Sequence, residues 1–295
     1  MDPEYAPPAE TVQAFEGCLD SADTVAVVAA PWSGRSVLLD CAAEREGTTK
    51  RITLDGPVEE SPTLPEAERL LVEDSHHLFR RTIDGFDPLE QFCTEVATTD
   101  ATVVTTWNGS AWSYLAATTS VSAAFDEVFA VPPLTVDQAE TLLFETTDTE
   151  DPEAELAAYA EYTPSRELSA EYMRVRARQL YRGTVVDHLE GLVEDAAGNP
   201  RTVRTLFECR TERGVDGRPG SPDVGYDASY LLWLVVVNEK IGVEELARRA
   251  GRPVETDLAS LARQGVVTIV DERVTIPAEA FGDVRSHLNG RRLLW

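Results

Sequence analysis

Residues Thr24 to Ala29, TVAVVA, form an unbroken run of β-branched and small apolar side chains. Within five residues it gives way to Gly34-Arg35-Ser36 and a helix-type pattern from Ser36 to Arg45. So short an apolar run, bounded by turn residues, predicts a strand buried on both faces. A strand covered on both faces needs neighbours on each side and helices above and below. Further strand-type runs follow at Arg51–Asp55, Arg69–Glu73, Ala101–Thr106 and Glu127–Val131, with a helical stretch at Pro88–Thr98. This alternation, joined by right-handed crossovers, predicts an α/β fold: a doubly wound, mostly parallel sheet.

The pattern changes at Thr135. Thr135 followed by Gln138 has the spacing of a capping box at a helix start, and Gly198-Asn199-Pro200 ends one helix and begins another. Helical stretches at Glu167–Arg182 and Thr184–Ala197 make residues 135–212 a helical lid. The Gly- and Pro-rich segment RGVDGRPGSPDVG reads as a linker over 213–225. Beyond it come helices at Asp227–Glu239, Val243–Ala250 and Val254–Gln264. Two β runs, Val266–Val270 and Val274–Ile276, and a last helix after Phe281 complete residues 226–295 as a winged-helix domain. The α/β core is then residues 1–134.

Composition bounds the setting. The 295 residues carry 52 acidic and 26 basic side chains, for a formal net charge of -26, and Lys50 and Lys240 are the only lysines. A carboxylate-dense, lysine-poor surface stays hydrated where salt screens charge over a few ångströms; the composition resembles that of proteins from extreme halophiles. In such a chain net charge does not argue against an anionic ligand. Cys18, Cys41, Cys93 and Cys209 show no C-x-x-C spacing, which predicts buried free thiols in a reducing cytoplasm. The longest apolar window, Tyr230–Val237, is far short of the roughly 20 residues of a membrane span.

The turn after the first strand carries the chemistry. A strand–turn–helix junction offers unpaired backbone N–H groups and the positive end of a helix dipole, which together favour phosphate. Read against the pattern G-x-x-x-x-G-K-[ST], Ala29 takes the place of the first glycine and Arg35 that of the lysine, while Gly34 and Ser36 match. Ser33, Gly34, Arg35 and Ser36 are expected to hold phosphate, with Ser36 on Mg²⁺. The third strand, Leu70-Leu71-Val72, ends in Glu73-Asp74. Such a pair can hold a metal (Glu73) and orient an attacking water (Asp74). Asn108, just past the fourth strand, has two readings: a group for the γ-phosphate or its attacking water, and the N-cap of the next helix. His76 and His77 are adjacent and point apart, so surface or half-buried structural roles are expected rather than a metal site.

Taken in order, these motifs and the C-terminal elements resemble the STAND and AAA+ branch of P-loop ATPases, over most of the chain from about Thr24. The resemblance implies an ATP- and Mg²⁺-binding regulatory switch that controls a protein partner, with the G-N-P-R segment placing Asn199, Pro200 and Arg201 near nucleotide. Ala29, Arg35 and Glu73 depart from the pattern and put hydrolysis in doubt more than binding. The alternatives are a non-hydrolysing adaptor and an ATP-responsive DNA-binding regulator. DNA is disfavoured, because Glu255 and Asp257 open the helix that would enter the major groove. Arg174 and Arg178 share a helix face; a solvated salt-bridged surface is the simpler reading. The other is an arginine finger reaching a neighbouring subunit in a homo-oligomer.

Overall fold

The computed structural model describes residues 6–80, 84–145, 193, 194, 196, 198–204, 222 and 224–291. The expected helix at 167–182, most of that at 184–197, the Arg174–Arg178 face, most of the 213–225 linker and Cys209 lie outside them. By contact the chain divides into two units, Met1–Pro132 with Pro219–Trp295, and Pro133–Arg218.

In the first unit, strands β1 (Thr24–Ala29), β2 (Thr49–Thr53), β3 (Arg69–Glu73), β4 (Thr102–Asn108) and β5 (Glu127–Ala130) form one sheet. Its order is β2-β3-β4-β1-β5, and every pairing is parallel. This is a doubly wound α/β sheet of P-loop NTPase type. Successive residues of β1 serve opposite faces, as the two-residue strand period requires. Val25 and Val27 join Phe15, Leu38, Leu39 and Val104 in one core. Ala26 and Val28 join Leu70, Val72, Phe92 and Trp107 in the other. Each such fully buried side chain stabilises by about 1.5–3 kcal/mol, so the sheet is held from both sides.

Helix α1 (Ala9–Ser21) is an element that periodicity does not single out, because only Thr11 and Phe15 of it are buried. It is followed in sequence by α2 (Arg35–Ala43), α3 (Asp87–Val96) and α4 (Gly109–Thr118). The cysteines depart from expectation: Cys18, Cys41 and Cys93 are free thiols but only half-buried, Cys93 packing against the edge of a core cluster.

The C-terminal elements belong to the same unit. They are α6 (Tyr226–Asn238), β6 (Lys240–Gly242), α7 (Val243–Ala250), α8 (Glu255–Arg263), β7 (Thr268–Val270), β8 (Arg273–Thr275) and α9 (Ala278–Gly290). The three strands make an antiparallel sheet in the order β6-β8-β7. Every residue from Leu231 to Asn238 is buried, so α6 is a core helix covered all round. One of the residues covering it is Ala111 of α4, which shares its cluster.

In the second unit α5 (Val136–Glu145) starts with the expected capping box. Thr135 N–H donates to Gln138 Oε1 at 3.0 Å, and Gln138 N–H to Thr135 Oγ1 at 3.3 Å. Gly198 has φ +66°, and a Cβ there would come within 2.4 Å of Pro133 Cβ, so only glycine fits.

Candidate functional site

Strands β1 and β4 are adjacent, and their last residues, Ala29 and Asn108, are register partners. From β1 the chain leaves toward β2, whereas β5 lies on the other side of β1. The crevice beyond the carboxyl ends of β1 and β4 is therefore a topological switch point, the usual ligand position in open α/β sheets. The turn after β1 opens into it.

That turn is tightly specified. Trp32 has φ 57° and Gly34 φ 80°, both left-handed. The Trp32 ring meets Phe281 of α9 edge-on, with centroids 5.6 Å apart. Gly34 is the N-cap of α2 and no side chain caps the helix, which leaves its first N–H groups pointed at the crevice.

Arg35, the first residue of α2, is buried. Its Nη2 donates to Glu239 Oε1 at 2.5 Å and lies 3.5 Å from Asp74 Oδ1, while its Nη1 is buried without a hydrogen-bond acceptor. Burial pulls the guanidinium pKa down, but Glu239, Asp74 and Glu73 reverse this, and the net direction is up. Arg35 is a permanent buried cation.

Of the two readings of Asn108, the structure shows the N-cap of the next helix. Its Oδ1 accepts from Ser110 N–H at 2.9 Å and Ala111 N–H at 3.2 Å, capping α4. Its Nδ2 donates to Val236 O at 3.0 Å and to Glu239 Oε1 at 2.9 Å. One carboxylate oxygen is thus shared by Arg35 and Asn108.

The metal-type residues are also joined. Ser36 Oγ donates to Glu73 Oε1 at 2.6 Å. Glu73 Oε2 accepts from Arg51 Nη2 at 2.9 Å, from Arg51 Nε at 3.2 Å and from Thr53 Oγ1 at 3.3 Å. Arg51 Nη1 also meets Asp40 Oδ1 at 2.5 Å. Both Glu73 oxygens are occupied, and a guanidinium stands beside them. Among the described residues no group of three or more His, Cys, Asp or Glu side chains is placed to hold a metal ion.

Asp74 is left-handed at φ 57°, ψ 41°. Its N–H donates to Thr106 Oγ1 of β4 at 2.8 Å, which ties the ends of β3 and β4 together. Burial, only partly offset by Arg35, pushes its carboxyl up to about 6. Behind it His76 and His77 are both buried, against the exposed or half-buried placement expected of them. Their rings lie 4.2 Å apart, and His76 Nδ1 and Nε2 and His77 Nδ1 have no hydrogen-bond partner. They fill the space between the sheet end and α6, an environment that two adjacent histidines do not disclose in sequence.

Ser33 is buried in the turn. Gly34, Arg35, Ser36, Glu73, Asp74 and Asn108 come together at the sheet end. Asn199, Pro200 and Arg201 belong to the second unit. There Asn199 Oδ1 accepts from Thr202 N–H at 3.0 Å and from Thr202 Oγ1 at 3.1 Å, capping the turn of helix over 200–204, and Arg201 is exposed. The main participant that sequence reasoning misses is Glu239; Arg51 and Thr106 are the others.

Three arginines of the C-terminal elements are committed to carboxylates. Arg248 and Arg249 pair with Glu245, the latter at 2.5 Å, and Arg252 pairs with Asp257 at 2.6 Å.

No family model matches the chain, and no curated protein matches it in sequence. Solved structures match at low identity. A RuvB mutant from Thermotoga maritima is 12% identical with a TM-score of 0.40, covering 94% of this chain and 93% of that one. The Aeropyrum pernix Orc1 protein in complex with DNA is 14% identical at a TM-score of 0.39, covering 99% and 96%. A Walker-type ATPase of Pyrococcus abyssi is 13% identical at 0.34, covering 95% of each. The fold assignment rests on the sheet order and the strand–turn–helix junction rather than on these likenesses. Among the described residues no helix is long and apolar enough to cross a membrane.

Proposed function

We propose that this chain is a nucleotide-binding switch of the AAA+ or STAND kind, which takes ATP by its phosphates and turns it over slowly or not at all. The observation that carries this reading is the convergence of Arg35 and Asn108 on a single anionic oxygen at the switch point of the sheet. A buried guanidinium and a buried amide aimed at one point are the donors a phosphate oxygen needs. The unpaired Arg35 Nη1 and the uncapped N-terminus of α2 supply more. Phosphate fits these residues.

Mg²⁺ does not fit them as they stand. Octahedral Mg²⁺ would draw its protein ligands from Ser36 and Glu73; the Ser36 hydroxyl keeps its lone pairs while it donates to Glu73, but the Arg51 guanidinium covers the other Glu73 oxygen and sets a positive charge beside that position. Without a metal at that position, and with Asp74 beside Arg35, the groups that would activate water are held by cations of the chain itself. This supports a bound-state signal over catalytic turnover. The pairing of Arg248, Arg249 and Arg252 with carboxylates counts against DNA as the object of that signal.

The test is a calorimetric titration of ATP in multimolar KCl, with and without Mg²⁺, beside a phosphate-release assay. ATP is expected to bind with micromolar to submillimolar affinity. Adenosine is expected not to bind, Mg²⁺ to change the affinity less than about threefold, and phosphate release to stay at background. No binding up to millimolar ATP would leave the adaptor reading in its place. Mg²⁺-dependent turnover abolished by Asp74→Ala would show that the metal site is functional after all.

A further inference from the structure

Glu239 stands at the corner between α6 and β6, with φ 58° and ψ -44°. The position just past a helix end that requires positive φ is ordinarily given to glycine or asparagine, because a Cβ is strained there. Nothing in the turn itself calls for glutamate. What does is 204 and 131 residues away in sequence: the carboxylate reaches Arg35 Nη2 at 2.5 Å and Asn108 Nδ2 at 2.9 Å, and the side chain is only 21% exposed. Asn108 reinforces the same corner by donating to Val236 O in the last turn of α6. A single carboxylate, held on a strained backbone, thus fills the anion position of the strand-end site.

We propose that Glu239 is an internal substitute for phosphate, so that the C-terminal segment and a nucleoside triphosphate compete for Arg35 and Asn108. This rests on the nucleotide reading of the same site. The ligand class follows from the chemistry of exchange. To displace a monoanionic carboxylate from a guanidinium fork, the incoming group must offer more charge and more acceptor oxygens, as a terminal phosphate does. When phosphate takes the donors, Glu239 is released, its backbone is free to leave positive φ, and the end of α6 loses its tie to β4. The apparent affinity for the ligand is lowered by the fraction of molecules in which Glu239 holds the site.

Two variants test this in the full chain. Glu239→Gln removes the charge and keeps the shape. Glu239→Gly removes the side chain and suits the positive φ, so it is expected to fold even if the first variant is destabilised. ATP titrations without Mg²⁺ are compared across wild type and both variants, and amide hydrogen exchange is followed over residues 226–250. Both variants are expected to bind ATP at least tenfold more tightly than wild type. Without ligand they are expected to exchange faster around residues 236–243, and ATP is expected to raise wild-type exchange there to a similar rate. Equal or weaker ATP binding by variants that remain folded would overturn the proposal. If no form bound ATP, the nucleotide reading would fall, and the exchange arm would still judge the anchor. Faster exchange in the ligand-free variants upholds Glu239 as the tie between segment and site, and unchanged exchange refutes it.

Discussion

Arg35→Ala is expected to lower the stability of the ligand-free protein by about 2–3 kcal/mol and to abolish ATP binding. Breaking a buried ion pair from one side costs about 3–5 kcal/mol, because the surviving charge is left without a partner. Here the survivors, Glu239 and Asp74, keep 21% and 33% of their side-chain surface, and solvent screening brings the figure down. The measurement is the denaturant midpoint at constant m-value. Glu239→Ala combined with Arg35→Ala is expected to recover about half of the loss, since the double variant no longer strands the glutamate. Arg35→Lys keeps the charge but not the fork, and is expected to fall between wild type and alanine in both readouts. A loss below about 0.5 kcal/mol for Arg35→Ala would mean that the Arg35–Glu239 contact contributes nothing to the ligand-free fold.

Stability is expected to fall steeply just below pH 6.5, which is unusual for a chain with so many surface carboxylates. Burial and, secondarily, Arg35 hold the His76 imidazole well below its ordinary range. Burial and the neighbouring His76 hold His77 down to about 2. In the unfolded chain both take up a proton near pH 6.5. Because the folded state binds fewer protons, the contribution of the pair is complete above that value and is lost progressively as pH falls from it toward the folded pKa values. Asp74 acts in the opposite sense. Its folded pKa, raised to about 6 chiefly by burial, makes the folded state bind more protons between about 4 and 6, so acidification favours folding there. Two imidazoles outweigh one half-screened carboxyl, and the net loss from pH 7 to pH 4 is about 4 kcal/mol. Equilibrium unfolding at intervals of half a pH unit measures it. His77→Phe is expected to remove most of the slope, because the remaining imidazole and Asp74 then nearly cancel, and Asp74→Asn to steepen it. A flat profile between pH 7 and pH 5 would contradict the buried, neutral state of the pair.

The sheet was legible in the sequence because its signal is local. Strand β3 spans Arg69–Glu73 in the structure, the limits that its apolar run defines, and β1 is the run TVAVVA itself. Asn108 could be placed because a polar residue between an apolar strand and a helical pattern marks both a strand end and a cap. Strand β2 lies two residues earlier than its apolar pattern suggests, since its residues are largely exposed and only weakly patterned. The three-residue β6 is too short for any periodicity. Glu239 was not legible at all. In a chain with 52 acidic residues, one more glutamate at a helix end has no distinguishing mark. Its role arises only from the packing of α6 against α4. The same holds for Arg51, whose partnership with Glu73 depends on the register of β2 against β3, where Thr53 lies opposite Glu73. Motif order brought Arg35, Glu73 and Asn108 to one strand end; the groups paired with them there, Glu239 and Arg51, come from elsewhere in the fold.

The central claim is that the position of Glu239 Oε1, between Arg35 and Asn108, belongs to a phosphate of the ligand. A crystal structure of the full chain grown with ATP addresses this directly. The account predicts a phosphate oxygen within hydrogen-bond distance of Arg35 Nη2 and Asn108 Nδ2, with the Glu239 carboxylate withdrawn and Arg51 still on Glu73. ATP bound while Glu239 remains on Arg35, or bound away from the strand ends, would contradict it.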